Sequence, residues 1–209
     1  MEQAVRKQDS IGGAILHPVR AGGAGILRQK GTHTAEEYYT TPEDARVELI
    51  KGVFYDMAAP SPVHQRILGE LYYMIRDHIR KNGGPCQVYM APFDVKLDTG
   101  DEEDTVVQPD ISVICDPSRI DERGCNGAPD WVVEITSPGN AETDYLRKLS
   151  LYLDAGVRLY WILNPMDRIL NVYEMSDDNF TVSQHMMDHP VGTIYEDLSI
   201  DLKELQAVI

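Results

Sequence analysis

The sequence is poor in cysteine. Its 209 residues include only Cys86, Cys115 and Cys125, an odd number without any C-x-x-C spacing. A disulfide framework and a zinc ribbon both need several regularly spaced cysteines, so neither class is expected. Cys115 stands in the apolar run ISVIC, which favours a core position over a nucleophile. We therefore expect a hydrophobic core, without cross-links, to hold the chain together.

Long hydrophobic runs are also missing. No apolar stretch approaches the roughly 18 residues that a membrane-spanning helix requires, and MEQAVRKQDSIGGAIL at the amino terminus lacks the apolar core of a signal peptide. Hydrophobic residues make up 43% of the chain and charged residues 25%, as in globular proteins. We expect a cytoplasmic protein with one domain of ordinary size and a tail.

Positive charge is scarce, since 19 Lys and Arg stand against 34 Asp and Glu for a net charge of −15. Residues 1–31 hold five basic and two acidic residues, which makes them net positive by three and leaves −18 for the remainder. An acidic body repels a polyanion unless a metal or a local basic patch compensates. The composition argues against a tight, nonspecific DNA binder.

The first 31 residues differ from the rest of the chain. Residues 1–31 are rich in Gly and Ala and show no lasting helical or strand period, which predicts a flexible arm. Residues 32–209 contain no internal repeat and are interpreted as a single domain. Ile26 and Leu27 of the arm, together with Tyr38 and Tyr39, offer apolar surface and predict a homodimer.

Capping residues and periodicity predict the helices. Thr34 and Glu37 form a capping box at the start of a short helix, and Ser61-Pro62 opens a long one. Apolar residues recur every fourth position in the long helix, which ends at the Asn82-Gly83-Gly84-Pro85 segment. Two further helices are predicted at about Ala141–Ala155, with Gly156 as its C-cap, and at Leu202–Ala207.

Short β-prone runs separate these helices. The runs on either side of Lys51-Gly52 predict a hairpin, and the run after the third helix completes a strand–helix–strand crossover. The pattern predicts an α/β (α+β) protein whose mixed β-sheet core is flanked by helices. The predicted strands are Val47–Ile50, Val53–Met57, Val88–Leu97, Val106–Cys115, Trp131–Thr136, Arg158–Leu163, Ile169–Met175 and Phe180–His185.

Two carboxylates stand where a charge is costly. Asp110 begins an apolar run, and Glu134 lies inside the run WVVEI. An ionised acid in a buried strand costs several kcal/mol unless it is paired, hydrogen-bonded or bound to a metal. If the two strands are neighbours, the carboxylates could converge on Mg²⁺ or Mn²⁺. The alternative is that each acid lies at a strand end in contact with solvent or caps a helix.

Lys148 is the third candidate, on the helix that follows Glu134. A lysine on the flank of that helix could stabilise charge developing on a phosphate. Alternatively, Lys148 is a surface residue paired with Asp144 one turn earlier. In both interpretations Lys148→Ala is expected to leave the melting temperature nearly unchanged. His64, near the start of the long helix, could face the same site or serve as a helix-capping or surface histidine.

A series of motifs follows in a fixed order along the chain. The motifs are Glu48-Leu49-Ile50-Lys51-Gly52, Ser61-Pro62-Val63-His64, Ala91-Pro92-Phe93-Asp94-Val95, Pro109-Asp110, Glu134-Ile135-Thr136-Ser137-Pro138, Asp144, Lys148, Tyr152, Gly156-Val157 and Tyr160-Trp161-Ile162. Together they resemble the Uma-two-like family of the PD-(D/E)XK nucleases, and the resemblance covers about residues 34–205.

The resemblance implies a restriction-endonuclease-like fold and metal-dependent hydrolysis of phosphodiester bonds in nucleic acid, with DNA as the expected substrate. It assigns Asp110, Glu134 and Glu48 as ligands of Mg²⁺ or Mn²⁺, and these three with Lys148 as catalytic residues. Thr136 stands where the parent motif has lysine, so Lys148 would supply the cation from the helix. This departure leaves open a catalytically silent binding or regulatory protein with the same fold. A non-nuclease hydrolase ranks lowest among these hypotheses, since the sequence shows no recognisable Ser/His/Asp or Cys/His catalytic arrangement.

Overall fold

A computed structural model of the protein describes residues 15–18, 33–42, 45–98, 100, 104–136, 141–176 and 179–209, but not the side chains of 15–18 and 141–146. These residues form two large mixed sheets, a small two-stranded sheet and four α-helices. The helices are α1 (Ala35–Tyr38), α2 (Pro62–Asn82), α3 (Ala141–Ala155) and α4 (Leu202–Gln206). The strands are β1 (Ile15–Pro18), β2 (Val47–Ile50), β3 (Val53–Asp56), β4 (Gln87–Met90), β5 (Val95–Leu97), β6 (Thr105–Val107), β7 (Ile111–Ile114), β8 (Ile120–Asp121), β9 (Gly124–Asn126), β10 (Trp131–Ile135), β11 (Leu159–Asn164), β12 (Ile169–Ser176), β13 (Asn179–Met186), β14 (Pro190–Gly192) and β15 (Ser199–Asp201).

The seven-stranded sheet has the order β1-β13-β12-β11-β10-β7-β4. Its β10 and β11 are parallel and are joined through α3, which is the predicted strand–helix–strand crossover. All its other neighbouring strands are antiparallel. The crossover carries the chain from Glu134, through Lys148, and back to the centre of the same sheet.

The six-stranded sheet has the order β3-β2-β6-β5-β9-β8. It begins with the predicted hairpin, in which Lys51 and Gly52 adopt φ values of 48° and 70° and turn the chain between β2 and β3. Glycine tolerates this left-handed conformation without steric cost. The hairpin places Glu48 in β2, the second strand of the sheet.

Alternation along β10 divides the core. Trp131, Val133 and Ile135 pack in one buried cluster with α2 and α4. Val132 packs on the opposite face in a second cluster, with residues of α3 and of the six-stranded sheet. Because side chains alternate along a strand, Glu134 points to this second face, between the two large sheets.

Helix boundaries agree closely with those expected. Thr34 caps α1 with a capping box completed by Glu37, Ser61 caps α2 with Pro62 next to it, and α3 spans the predicted residues. Two predicted strands were wrong in extent, since Val88–Leu97 divides into β4 and β5, and Val106–Cys115 into β6 and β7. In each case the parts join different sheets, and Pro92 or Pro109, which has no N–H for a sheet, lies in the interruption.

The predicted arm is described only at Ile15–Pro18, where it forms a strand against β13 instead of irregular chain. Ile26 and Leu27 lie outside the described residues. Tyr38 is not apolar surface, because it is 5% exposed and packs with Ala35, Leu49 and Val106. Tyr38 therefore does not support the predicted homodimer.

The cysteines differ from expectation. Cys86 and Cys115 form a disulfide, although none was predicted. Gln87 pairs with Ile114 across β4 and β7, so the cysteines lie one position farther along, opposite each other. Their separation of 29 residues carries no recognisable spacing, and only the strand register brings them together. Cys125 is free and buried, and burial raises the pKa of its thiol to about 11, which disfavours a nucleophilic role.

None of the helices among the described residues combines the length and the apolar character that crossing a bilayer requires.

Gly124 is a position where a side chain is not tolerated. Its φ is +134°, and a Cβ built on it would overlap the backbone carbonyl oxygen of Asp94. We expect Gly124→Ala to lower the free energy of unfolding by about 2–4 kcal/mol, measured by urea denaturation. Gly156→Ala is the control, since Gly156 has a φ of +88° and open space around it; it should lose only about 1–2 kcal/mol. Equal losses in the two variants would contradict the steric explanation.

Candidate active site

Two glutamates and a lysine meet between the sheets. The Nζ atom of Lys148, on α3, lies 2.9 Å from Oε1 of Glu48 on β2 and 3.1 Å from Oε1 of Glu134 on β10. The side chains of Lys148, Glu48 and Glu134 are 6%, 5% and 8% exposed. A single buried ammonium group therefore bridges two carboxylates that come from different sheets.

Asp110 lies beside this group and is held by two donors. Its Oδ2 accepts a hydrogen bond of 2.7 Å from the backbone N–H of Ile135 and lies 3.0 Å from Nε2 of His64. His64 is buried near the beginning of α2 and faces the site, which was one of its two expected placements. At 17% exposure, the Asp110 side chain is more open to solvent than those of Glu48, Glu134 and Lys148.

Strand register brings Asp110 and Glu134 to the same face. Val133 of β10 pairs with Ile111 of antiparallel β7, and one further step of this register sets Glu134 opposite Asp110. Side chains directly opposite each other on antiparallel strands have Cβ atoms about 4.5–5.5 Å apart. The structure therefore brings together all four residues that the resemblance assigned to the site.

The electrostatics of the cluster are unbalanced. Burial raises the pKa of Glu134, the charge of Lys148 lowers it, and the charges of Asp110 and Glu48 raise it further; the net shift is upward. Burial by itself would lower the pKa of His64, but its hydrogen bond to Asp110 and the charge of that carboxylate raise it above the usual value. Lys148 thus serves the two buried carboxylates, and Asp110 beside them has His64 as its partner. At Glu134, burial and the neighbouring acids outweigh Lys148, so an additional cation would favour its ionised form.

The oxygen atoms suit a hard divalent ion. The described hydrogen bonds to Asp110 end on Oδ2 and those to Glu134 end on Oε1, which leaves Oδ1 and Oε2 for a ligand. Mg²⁺ and Mn²⁺ prefer such carboxylate oxygens, so the donor set fits them. Among the described residues no three His, Cys, Asp or Glu side chains enclose one common cation position, and the ammonium of Lys148 lies between Glu48 and Glu134.

The surface interpretation of Lys148 is wrong. Lys148 is 5% exposed and its ammonium contacts buried carboxylates. The side chain of Asp144, the partner in that interpretation, lies outside the described residues. Because Lys148→Ala would remove the cation from two buried acids, the structure replaces the expectation of an unchanged melting temperature by the expectation of a lower one.

Two further groups complete the site. The Tyr152 hydroxyl donates a 3.0 Å hydrogen bond to Glu134, and the backbone N–H of Gln108 donates a 2.8 Å bond to Glu48. Burial and then the charge of Glu134 raise the pKa of Tyr152, so the phenol remains a donor. Tyr152 belongs to the motif series of the sequence, without a role assigned there, and its spacing of four residues from Lys148 places both on one face of α3. No sequence signal points to a backbone N–H such as that of Gln108.

Thr136 lies at the end of β10 and is buried, with its backbone N–H bonded to Leu163 of β11. Its short neutral side chain supplies no charge at the position where the parent motif has lysine. The positive charge comes instead from α3, which approaches from the same face as Glu134.

A sequence model matches residues 35–199, most of the chain and all of the site. It is the model of the Uma2 family, described as "Putative restriction endonuclease". The chain belongs to the Uma2 family. The resemblance drawn from the sequence motifs is thereby confirmed.

Two relatives of this Uma2 protein extend the comparison. An uncharacterised protein of Synechocystis sp. (strain PCC 6803) is 27% identical over 146 residues, which cover 68% of this chain and 74% of the relative. A crystal structure of a "putative nuclease belonging to DUF820" from Anabaena variabilis ATCC 29413 superposes with a TM-score of 0.68 at 23% identity. The match covers 85% of this chain and 99% of that one. The two proteins share a fold, and the predicted restriction-endonuclease-like fold class is confirmed.

Proposed function

We propose that this Uma2 protein is a metal-dependent endonuclease that hydrolyses phosphodiester bonds of DNA. The observation that carries the proposal is the cluster of buried Glu48, Glu134 and Lys148 with the more exposed Asp110 beside it, at the junction of two sheets. Burying two acids around one lysine next to a third acid is costly for a purely structural purpose. A buried carboxyl group whose pKa is raised, such as that of Glu134, is typical of functional sites.

In this proposal Asp110 and Glu134 hold Mg²⁺ or Mn²⁺, with Glu48 as a further ligand. When bound, such an ion neutralises phosphate charge and lowers the pKa of an attacking water molecule. Asp110, the most exposed of the acids, faces the incoming phosphate. His64 and the Ile135 N–H fix the orientation of Asp110.

Lys148 supplies the fixed positive charge of the site. Its ammonium, oriented by Glu48 and Glu134, stabilises charge that develops on the phosphate during cleavage. Tyr152, one turn along the same face of α3, donates a second hydrogen bond to the Glu134 carboxylate. The proposed assembly is a homodimer, in which each copy cuts one strand of a duplex.

A catalytically silent, nucleic-acid-binding protein is the second candidate. It is favoured by the two ion pairs of Lys148, which partly neutralise Glu48 and Glu134 without any metal. The net charge of −15 also opposes tight contact with a polyanion. Catalysis distinguishes the two candidates.

A cleavage assay tests the proposal. Plasmid and oligonucleotide DNA should be cut in the presence of Mg²⁺ or Mn²⁺ but not with EDTA, and Asp110→Ala should lose at least about 10³-fold in rate. Asp197→Ala is the matched control, because Asp197 also contacts a histidine, with Oδ1 3.3 Å from Nε2 of His78, but is 67% exposed. It should cleave like the wild type. Equal cleavage by Asp110→Ala would refute the assigned site, and a wild type without activity on any nucleic acid would favour the silent candidate.

A further inference from the structure

Two imidazole rings face each other beyond the end of β13, in a part of the protein that the proposed nuclease site does not use. Nδ1 of His185, on β13, lies 3.0 Å from Nε2 of His189, which follows the turn into β14. The ring centroids are 5.2 Å apart and the rings are inclined by 59°. The two facing nitrogen atoms are therefore close enough to bind one ligand together.

The other nitrogen of each ring is held by a neighbouring side chain. Nδ1 of His189 donates to Oδ1 of Asp188 at 2.7 Å, and Nε2 of His185 lies 2.8 Å from the Ser183 hydroxyl. A neutral imidazole that donates through one nitrogen has its lone pair on the other. Asp188 therefore directs the lone pair of His189 toward His185. Metal-binding histidines are characteristically oriented in this way by a carboxylate or hydroxyl on the far nitrogen.

The separation of the facing nitrogens suits a shared ion. Metal–nitrogen bonds of about 2.0–2.1 Å place two ligands about 2.8–3.0 Å apart at right angles, and about 3.3–3.4 Å apart in a tetrahedron. The observed 3.0 Å matches the right-angle arrangement of square-planar or octahedral ions. It is also the length of a hydrogen bond, so a bound ion would displace a shared proton, turn the rings and lie to one side of the line between the two nitrogens.

We propose that His185 and His189 form a second metal site, which takes a late first-row divalent ion such as Cu²⁺ or Ni²⁺. Imidazole nitrogen binds these ions in preference to Mg²⁺, whereas the carboxylates of the candidate active site have the opposite preference. The side chain of His189 is 47% exposed, so water can complete the coordination. Two protein ligands suffice for an open site of this kind.

Binding at this site joins β13 to the start of β14. His189 also accepts a backbone hydrogen bond from Leu202 at the beginning of α4, so an ion on the two rings reinforces the contact between the seven-stranded sheet and the carboxy-terminal segment. The site therefore stabilises the folded chain without requiring any change in the candidate active site.

Copper titration of the untagged protein tests the proposal. Cu²⁺ is added in the presence of excess Mg²⁺, which occupies oxygen sites, and the bound ion is followed by calorimetry and by electron paramagnetic resonance. His185→Gln and His189→Gln are compared with His33→Gln. His33 is a matched control, since it is 48% exposed and contacts the carboxylate of Glu37, but it has no second histidine beside it in the described residues.

The wild type and His33→Gln should each bind one Cu²⁺, and the electron paramagnetic resonance spectrum should show hyperfine splitting from two imidazole nitrogens. His185→Gln and His189→Gln should lose this splitting and bind at least about tenfold more weakly, and Asp188→Asn should weaken binding by about 10–100-fold. Circular dichroism establishes that the variants are folded. Identical Cu²⁺ affinity and spectra in the wild type, His185→Gln and His189→Gln would overturn the proposal, as would the absence of Cu²⁺ binding to the wild type.

Discussion

Lys148→Met is expected to lower the free energy of unfolding by about 3–5 kcal/mol, because it leaves Glu48 and Glu134 buried without their shared cation. This corresponds to a decrease of roughly 10 °C in the melting temperature of a chain of this size. DNA cleavage, measured well below the lowered melting temperature, is expected to fall by about 10²–10³-fold, since the fixed positive charge is removed. Calorimetry and a plasmid-nicking assay provide the two measurements.

Lys81→Met is the matched control. Lys81 has a shorter ion pair, with Nζ 2.6 Å from Oδ2 of Asp77, but its side chain is 67% exposed. Exposed pairs contribute at most about 1 kcal/mol, so this variant should retain its stability and activity. An unchanged melting temperature in Lys148→Met would contradict the buried ion pairs. Cleavage at the wild-type rate would show that Lys148 has only a structural role.

Glu134→Gln is expected to separate activity from stability. Cleavage should fall by at least about 10³-fold, because a proposed metal ligand loses its charge. The free energy of unfolding at neutral pH should change by no more than about 1 kcal/mol. Burial, followed by the charges of Asp110 and Glu48, already disfavours the ionised form of Glu134, and Lys148 retains its pair with Glu48.

Cleavage and urea denaturation are measured on the same preparations, beside Glu70→Gln, which alters an exposed residue of α2. Calorimetric titration with Mn²⁺ adds a direct measurement, in which Glu134→Gln should bind more weakly than Glu70→Gln. Normal cleavage by Glu134→Gln would remove this residue from the proposed mechanism. A large loss of stability would instead show that the carboxylate of Glu134 is chiefly structural.

The helices and the central crossover could be predicted because their signals are local. Thr34 and Ser61 act as caps within a few residues of the groups they bind, and the apolar stripe of α2 repeats over several turns. The division of residues 88–97 and 106–115 between two sheets could not be predicted from β propensity. Both halves of each segment are apolar, and the choice of sheet depends on partners distant in the chain.

Part of the site could also be predicted from local signals. Asp110 and Glu134 could be identified as candidates because burying an acid within an apolar run costs free energy in any fold. The role of Glu48 depends on Lys148, which is 100 residues away, so only the family resemblance pointed to it. The burial of Lys148 could not be inferred either, because periodicity places a residue on the flank of a helix without showing what covers that flank.

The bridge formed by Lys148 has a consequence for the motions of the protein. Glu48 belongs to the six-stranded sheet and Glu134 to the seven-stranded sheet. The ammonium group of Lys148 therefore links the two sheets through ion pairs. Local opening that separates the sheets must remove the Lys148 ammonium from at least one buried carboxylate. Such opening therefore has a high free energy among the partial unfolding events of the protein. In transient states in which one sheet unfolds locally, Glu48 and Glu134 are consequently no longer close together. Assembly of the acidic cluster and docking of the two sheets are therefore coupled in a single equilibrium.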